Sequence, residues 1–148
     1  MPATGVTLED ARAYADWLSR RTGRTYRLPT VEEWRHAASA EGDVLDANRN
    51  CYSNVRGVVR GEALVSVTQG SPNAWGLVNH VGNVEEWALA DGDPRLLGGR
   101  HTDPITECDV STTRSEPAAP GTVKGFRVLR EIDAIGRTGA ALASAGGS

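Results

Sequence analysis

Residues 79–87, with the sequence NHVGNVEEW, constrain the fold of this chain more than any other segment. They bring together a side-chain amide, a glycine, two carboxylates and an indole. Amide, carboxylate and backbone carbonyl oxygens are the ligands that Ca²⁺ prefers, and glycine lets the backbone approach closely. The pattern therefore indicates an irregular loop that holds a calcium ion. The alternative is a loop in which Asn79 and Glu86 form hydrogen bonds without a metal.

The composition predicts one loop-rich domain. Of the 148 residues, 17 are glycine and 7 are proline, which is typical of turns and loops rather than of a helical bundle. The net charge is −3 with both signs scattered along the chain, so we expect no nucleic-acid partner. No apolar run reaches the length of a membrane span and no signal peptide opens the chain, so we expect no membrane segment.

Two helices are predicted near the start of the chain. Thr7 is placed to cap the first helix, which Gly23 ends. Its apolar residues recur at helical spacing: Leu8, Ala11, Ala15 and Leu18. Thr30 and Glu33 have the spacing of a capping box, in which each side chain bonds the backbone N–H near the other. A second, short helix should follow Thr30.

Short extended segments are predicted after the helices. The candidates are residues 25–28, 58–59, 63–67, 75–78, 96–99 and 125–129, separated by turns rich in glycine, proline and asparagine. Helices followed by short strands and long loops predict an α+β fold. Residues 133–148 are rich in Ala, Gly and Ser without periodicity, so we expect a disordered tail after a domain at 1–132.

Several segments together resemble one family. RLPT-x-x-EW, N-x-x-GN-x-x-EW and GFR occur in this order, at residues 27–34, 79–87 and 125–127. In these segments the chain is similar to the formylglycine-generating enzyme (sulfatase-modifying factor) domain. The resemblance implies that family's variant of the C-type lectin fold, with two helices, short antiparallel strands, long loops and a ligand surface in the later loops. The usual N-terminal strands of the family are missing. Some relatives are diversified variable proteins of diversity-generating retroelements.

The resemblance does not carry the family's chemistry. Formylglycine-generating enzymes oxidise a substrate cysteine with oxygen, using copper held by two cysteines that lie five residues apart after a Gly-Gly pair. Here the second position matches Cys108, whereas the first falls on Asp103. Cu(I) prefers two soft thiolates over a thiolate and a hard carboxylate. We therefore expect no copper, and Cys108 is a catalytic candidate only if the protein is an enzyme.

The resemblance implies a calcium site with four ligands. They are the side chain of Asn79, the backbone oxygens of Gly82 and Val84, and the carboxylate of Glu86. At Glu85, where the family often has tryptophan, we expect a side chain that points to solvent.

The resemblance also places a ligand surface after the Gly-Gly pair. Its candidate residues combine cations, a carboxylate, a hydroxyl and an imidazole, which suits polar or charged ligands: Arg100, His101, Thr102, Asp103 and Arg114. The alternative is an ordinary solvated loop. We expect Arg127 to be a structural ion-pair or carbonyl partner. The tryptophans are expected in the core rather than on a sugar-binding face: Trp17, Trp34, Trp75 and Trp87.

The two cysteines are not spaced like a zinc site. Cys51 and Cys108 either form a disulfide that closes a loop of about 57 residues or remain two separate thiols. A disulfide would favour an extracytoplasmic location, and two thiols a cytoplasmic one.

The sequence thus predicts a non-catalytic binding module. A scaffold stabilised by calcium would present the loops at 99–123 to a protein or a small polar ligand, as a retroelement variable protein does. One alternative is a copper oxidoreductase acting on cysteine. The other is a structural accessory domain of a larger signalling or surface protein.

Overall fold

The computed structural model describes residues 1–40, 42, 45–115 and 123–132, in which two helices precede short strands and long loops. The helices are α1 (Leu8–Thr22) and α2 (Val31–Ser39). The strands are β1 (Tyr26–Arg27), β2 (Ser53–Val55), β3 (Val58–Arg60), β4 (Glu85–Ala90), β5 (Asp93–Leu97), β6 (Thr113–Arg114), β7 (Lys124–Gly125) and β8 (Leu129–Arg130). This arrangement confirms the α+β prediction.

Both helices begin where their capping residues predict. The Thr7 hydroxyl accepts the Asp10 N–H at 3.0 Å, and the Asp10 carboxylate accepts the Thr7 N–H at 3.0 Å. Thr30 and Glu33 form the expected reciprocal pair at 3.1 and 2.8 Å. These bonds satisfy N–H groups that have no partner within a helix. Gly23 ends α1 with a left-handed φ of 69°.

The strands form three small sheets. β1 pairs with β8, and β2 pairs with β3 as a hairpin, both antiparallel. The central sheet has the order β6-β5-β4-β7, in which only β4 and β7 run parallel. β4 therefore lies inside the main sheet, with a hydrogen-bonded neighbour on each side.

The two faces of the central sheet carry separate apolar cores. Successive residues of a strand point to opposite faces. Trp87 packs with Leu96 and with Leu8 and Ala11 of α1. On the other face Ala88 and Leu97 pack with Trp34 of α2 and with the two cysteines. Each helix thus covers one face of the sheet.

Two of the predicted strands are wrong because side-chain amides replace a partner strand. Residues 63–67 form no strand: the Asn83 amide accepts the Val65 N–H at 3.0 Å and donates to the Val65 carbonyl at 3.2 Å. Residues 75–78 form a turn in which the Asn73 oxygen accepts the N–H groups of Trp75 and Leu77, both at 3.0 Å.

One further strand prediction and the predicted loop are incomplete. Residues 125–129 divide between β7 and β8, because Gly125 pairs with Glu86 whereas Leu129 pairs with Arg27 in a different sheet. The loop predicted at 79–87 is a loop only in its first part, since β4 starts at Glu85. The predicted segments did not include β2 or β6.

The tryptophans divide evenly between core and surface. Trp34 and Trp87 are buried as expected, at 3% and 0% exposure. Trp17 and Trp75 are 50% and 47% exposed, so the core prediction is wrong for both. Trp17 lies beside the buried stripe of α1 and stacks on Tyr14, with ring centroids 5.7 Å apart.

The tail predicted at 133–148 lies outside the described residues, as do residues 116–122 of the predicted ligand surface. Among the helices that the structure describes, none is long and apolar enough to cross a bilayer.

Candidate functional site

The NHVGNVEEW segment lies almost entirely in the buried interior of the domain. Every residue from 80 to 88 is buried. Its turn uses left-handed backbone at Asn79, Gly82 and Asn83, with φ values of 52°, 80° and 65°. A Cβ on Gly82 would lie 2.6 Å from the Cys51 sulfur, so this position requires glycine. The segment therefore packs directly against the cysteine pair.

Glu86 is the centre of a buried polar cluster on the α2 face of the sheet. Its carboxylate accepts two bonds from Arg127 at 2.6 and 2.7 Å, and one from the Trp34 indole at 2.8 Å. Burial disfavours the charge on Arg127, but the Glu86 charge and hydrogen bonds outweigh it and raise the pKa of the guanidinium. Arg127 is therefore a structural ion-pair partner, as expected.

The predicted calcium ligands lie partly together. Asn79, Val84 and Glu86 line one cavity of about 380 Å³, whereas Gly82 packs against Cys51. The described residues contain no cluster of three His, Cys, Asp or Glu side chains suited to a metal. Glu86 is the one carboxylate in the predicted set, and Arg127 already balances its charge. Since calcium affinity rises with the number of charged ligands, this arrangement fits a weak site only.

Glu85 corrects one of our expectations. Its side chain is 1% exposed and does not point to solvent. The carboxylate lies on the opposite face of the sheet from Glu86, where Arg114 Nη1 contacts it at 2.9 Å and Arg100 Nε lies 4.0 Å away. Strand register brings Arg114 there: its partner on β5 is Leu96, and Leu96 pairs with Trp87, which lies on the same face of β4 as Glu85.

Asp103, at the family's first cysteine position, completes this cluster. Its carboxylate contacts Arg114 Nη2 at 2.8 Å and accepts the Arg100 backbone N–H at 2.8 Å. Burial acts against the charge of Asp103, but the Arg100 N–H and Arg114 outweigh it and lower the pKa of the carboxyl. Two carboxylates and two guanidiniums therefore form a neutral, partly buried quartet.

The structure places most of the predicted ligand surface within the scaffold. Asp103 and His101 are buried, and the His101 ring nitrogen Nδ1 lies 2.6 Å from the Gly61 carbonyl. The side chains of Arg100 and Arg114 are 32% and 24% exposed, and only Thr102 is fully on the surface. The role of these residues in ligand binding stays a prediction.

Cys51 and Cys108 form a disulfide in the structure, and both are fully buried. The Arg49 side chain hydrogen-bonds the segment that carries Cys108, donating to the carbonyls of Cys108 at 2.9 Å and Ile105 at 2.7 Å. The bond is compatible with an extracytoplasmic location. Copper does not fit this site, because Cys108 is bonded to Cys51 and Asp103 is paired with cations.

Sequence reasoning missed the roles of Glu85 and Asn83. Asn83 is 2% exposed and joins the motif to two other segments, since its oxygen also accepts the Asn50 side-chain N–H at 2.9 Å. The only available signal was the Glu85-Glu86 pair ahead of a tryptophan. Strand alternation at that point would have placed the two carboxylates on opposite faces.

A model of the sulfatase-modifying factor enzyme 1-like domain matches residues 1–132. The chain belongs to this family. It is 31% identical over 144 residues to the formylglycine-generating enzyme of Mycobacterium tuberculosis, with coverage of 84% of this chain and 45% of the relative. It is 34% identical over 118 residues to the inactive C-alpha-formylglycine-generating enzyme 2 of Bos taurus, with coverage of 66% and 37%.

A third relative is the serine/threonine-protein kinase pkn1 of Chlamydia pneumoniae, 35% identical over 89 residues, or 58% of this chain and 13% of the kinase. The chain thus spans less than half the length of these curated relatives. The fold is similar to that of PvdO from Pseudomonas aeruginosa, with a TM-score of 0.73, 25% identity and coverage of 89% and 62%. It is also similar to Treponema denticola variable protein 1, with a TM-score of 0.70, 19% identity and coverage of 86% and 70%.

Proposed function

We propose that this family member is a non-catalytic binding module whose later loops, at 99–123, contact a protein or a small polar ligand. The observation that carries the proposal is the state of the two cysteine positions. Cys108 is bonded to Cys51, and Asp103 is held by two arginines. Neither position offers the thiolate that copper chemistry on cysteine requires.

The scaffold beneath these loops is strongly cross-linked. The disulfide, Arg49 and the Arg114–Glu85 pair all tie the segment after β5 to the rest of the domain. The exposed side chains between residues 99 and 115 are mostly polar: Thr102, Pro104, Thr106, Glu107, Ser111, Thr113 and Ser115. A rigid support with a polar outer layer suits recognition by loops, because the loop side chains can change without loss of the core.

Two relatives support different parts of the proposal. The name of the Bos taurus relative calls that protein inactive, which is consistent with a non-catalytic member of the family. The Treponema variable protein shares the fold, and we propose by resemblance that the loops at 99–123 are the diversified surface. Calcium, bound in the cavity that Asn79, Val84 and Glu86 line, would stabilise the fold and take no part in a reaction.

A structural accessory domain is the second candidate, supported by the similarity to a small part of a Chlamydia kinase. A copper oxidoreductase acting on cysteine is the third, and the disulfide argues against it. Two variants separate the loop-binding proposal from the accessory-domain role. Replacing Thr102 or Thr106 by arginine should leave the melting temperature unchanged under either proposal. The replacement should abolish ligand binding only if these loops contact the ligand.

The direct experiment measures thiols and oxidation together. Purified, unreduced protein is titrated for free thiols, then incubated with Cu(I), oxygen and a cysteine-containing peptide, and the peptide is analysed by mass spectrometry. We expect no free thiol and no aldehyde product. Aldehyde formation by the unaltered chain would overturn the non-catalytic proposal, and a matched reaction with a cysteine-to-serine peptide controls for non-specific oxidation.

A further inference from the structure

A cavity of about 150 Å³ lies between α2 and the segment that precedes β4, and none of its lining residues comes from residues 99–115. Its walls are largely apolar side chains: Pro29, Trp34, Ala37, Ala38, Leu77 and Leu129. Val128 and three polar residues, Glu33, His80 and Arg127, complete the lining. An apolar protein cavity of about 150 Å³ is large enough to accept benzene.

The His80 ring is the unusual feature of this cavity. His80 is only 6% exposed, and neither ring nitrogen has a hydrogen-bond partner in the described part of the chain. The backbone of Leu77 lies near the ring, but it does not reach the distance and angle of a hydrogen bond with either nitrogen. Buried polar groups in folded proteins nearly always have a partner, so this ring requires an explanation.

The other polar groups of the lining are already occupied. Arg127 donates to Glu86 at 2.6 and 2.7 Å, and Glu33 accepts two bonds from Arg27 at 2.7 Å each. These pairs also balance the charges at the wall, so the cavity has no excess charge to attract an ion. Among these polar side chains, the imidazole of His80 is the one for which the described residues supply no hydrogen bond.

We propose that this cavity binds a small neutral molecule with an aromatic body and one hydroxyl group, of the size of phenol. The flat body contacts Trp34 and the alanines of α2, and the hydroxyl hydrogen-bonds a ring nitrogen of His80. A single water occupies about 30 Å³ in the liquid, so one water would hydrogen-bond one ring nitrogen but leave most of the apolar space empty. An aromatic alcohol makes the same hydrogen bond and also fills the apolar space.

The test uses the whole chain with phenol as the probe. Phenol is titrated into ¹⁵N-labelled protein while the ring nitrogens of the three histidines are followed by NMR. We expect saturable shifts at His80 and none at His36 or His101. Unchanged His80 resonances up to millimolar phenol would overturn the proposal and leave water as the occupant, and this measurement needs no variant.

Two variants locate the bound molecule. Ala37→Leu fills the cavity and should abolish the shifts, whereas Ala13→Leu makes the same change on the exposed side of α1 and should preserve them. Binding that survives Ala37→Leu in a folded protein would place phenol elsewhere and refute the site.

A third variant tests the hydrogen bond. In His80→Leu the ratio of phenol affinity to toluene affinity should fall about tenfold, because one hydrogen bond gives discrimination of this order. Toluene controls for the apolar contacts. An unchanged ratio would show that the imidazole does not contact the hydroxyl, which would also overturn the proposal.

Discussion

Glu85 and Glu86 are neighbours on β4, yet their carboxylates lie on opposite faces of the sheet and meet different arginines. Glu85 contacts Arg114 at 2.9 Å and Glu86 contacts Arg127 at 2.6 Å. Each pair joins the central strand to a later part of the chain, 29 and 41 residues away. Two adjacent residues therefore tie both faces of the sheet to the C-terminal half of the domain.

Loss of Glu86 should destabilise the fold strongly. Glu86→Gln leaves the buried Arg127 charge without its counter-ion, and breaking a buried pair in this way costs about 3–5 kcal/mol. Urea unfolding followed by circular dichroism measures the change. Glu32→Gln, on the exposed side of α2, is the matched control and should stay within about 0.5 kcal/mol. Equal stability of the two variants would show that the pair contributes little.

Calcium should raise the melting temperature. A ligand that binds only the folded state stabilises it by mass action, by about 2.7 kcal/mol at a hundredfold excess over its Kd. We expect EDTA to remove the increase and Asn79→Ala to abolish it. Asn79 is a better test than Glu86 because Glu86 also holds Arg127. Identical melts with calcium and with EDTA would leave Asn79 a hydrogen-bonding residue without metal.

Reduction of the disulfide should lower the stability. Closing a loop between residues 57 positions apart stabilises a protein by about 4 kcal/mol in the chain-entropy estimate. The measurement compares urea unfolding with and without a phosphine reductant. The double variant Cys51→Ser, Cys108→Ser should be weakened to a similar degree and insensitive to the reductant. Two titratable thiols in the native, unreduced chain would contradict the bond.

The chain should bind Cu(I) once it carries free thiols at both position 103 and position 108. The Cys108 sulfur and an Asp103 carboxylate oxygen lie 3.0 and 3.4 Å from the position that a Cβ on Gly99 would occupy, so the two side chains are adjacent. We expect Asp103→Cys combined with Cys51→Ser to bind Cu(I) in a chelator competition. Cys51→Ser alone, with one thiol, should bind at least tenfold more weakly. Equal affinities would show that Asp103 is not the position that excludes copper.

Acid should weaken the start of α2. The hydrogen bonds and charge of Arg27 lower the pKa of Glu33 to about 2, against about 4.3 in the unfolded chain. Because the folded value is the lower one, the stabilisation is complete above about pH 5 and is lost as pH falls towards 2. The pair is partly exposed, so the effect should be about 1 kcal/mol or less.

The measurement for this pair is the unfolding free energy between pH 6 and pH 2. Glu33→Gln should show a shallower pH dependence than the original chain over this range, whereas Glu9→Gln, on α1, should not change the slope. Parallel curves for the chain and for Glu33→Gln would mean that Glu33 does not titrate as the structure implies.

Local chemistry explains what the sequence predicted well. The caps at Thr7 and Thr30 bond groups three residues away, so their geometry needs no distant partner. Glycine at 23 ends α1 for the same reason. The family motifs predicted the fold class because their spacing is specific. The predicted tryptophan core was right only for Trp34 and Trp87, since burial depends on what packs over a residue.

By itself, then, the sequence determined the two capped helices, the family and its α+β fold, and the loss of the first copper-ligand position at Asp103. Only the tertiary structure decided that Cys51 and Cys108 are bonded, that Glu85 points inward, and that Asn83 replaces a strand beside Val65. The physical reason is distance along the chain. Each of these contacts joins residues 18 or more positions apart, and the folded arrangement alone brings such residues together.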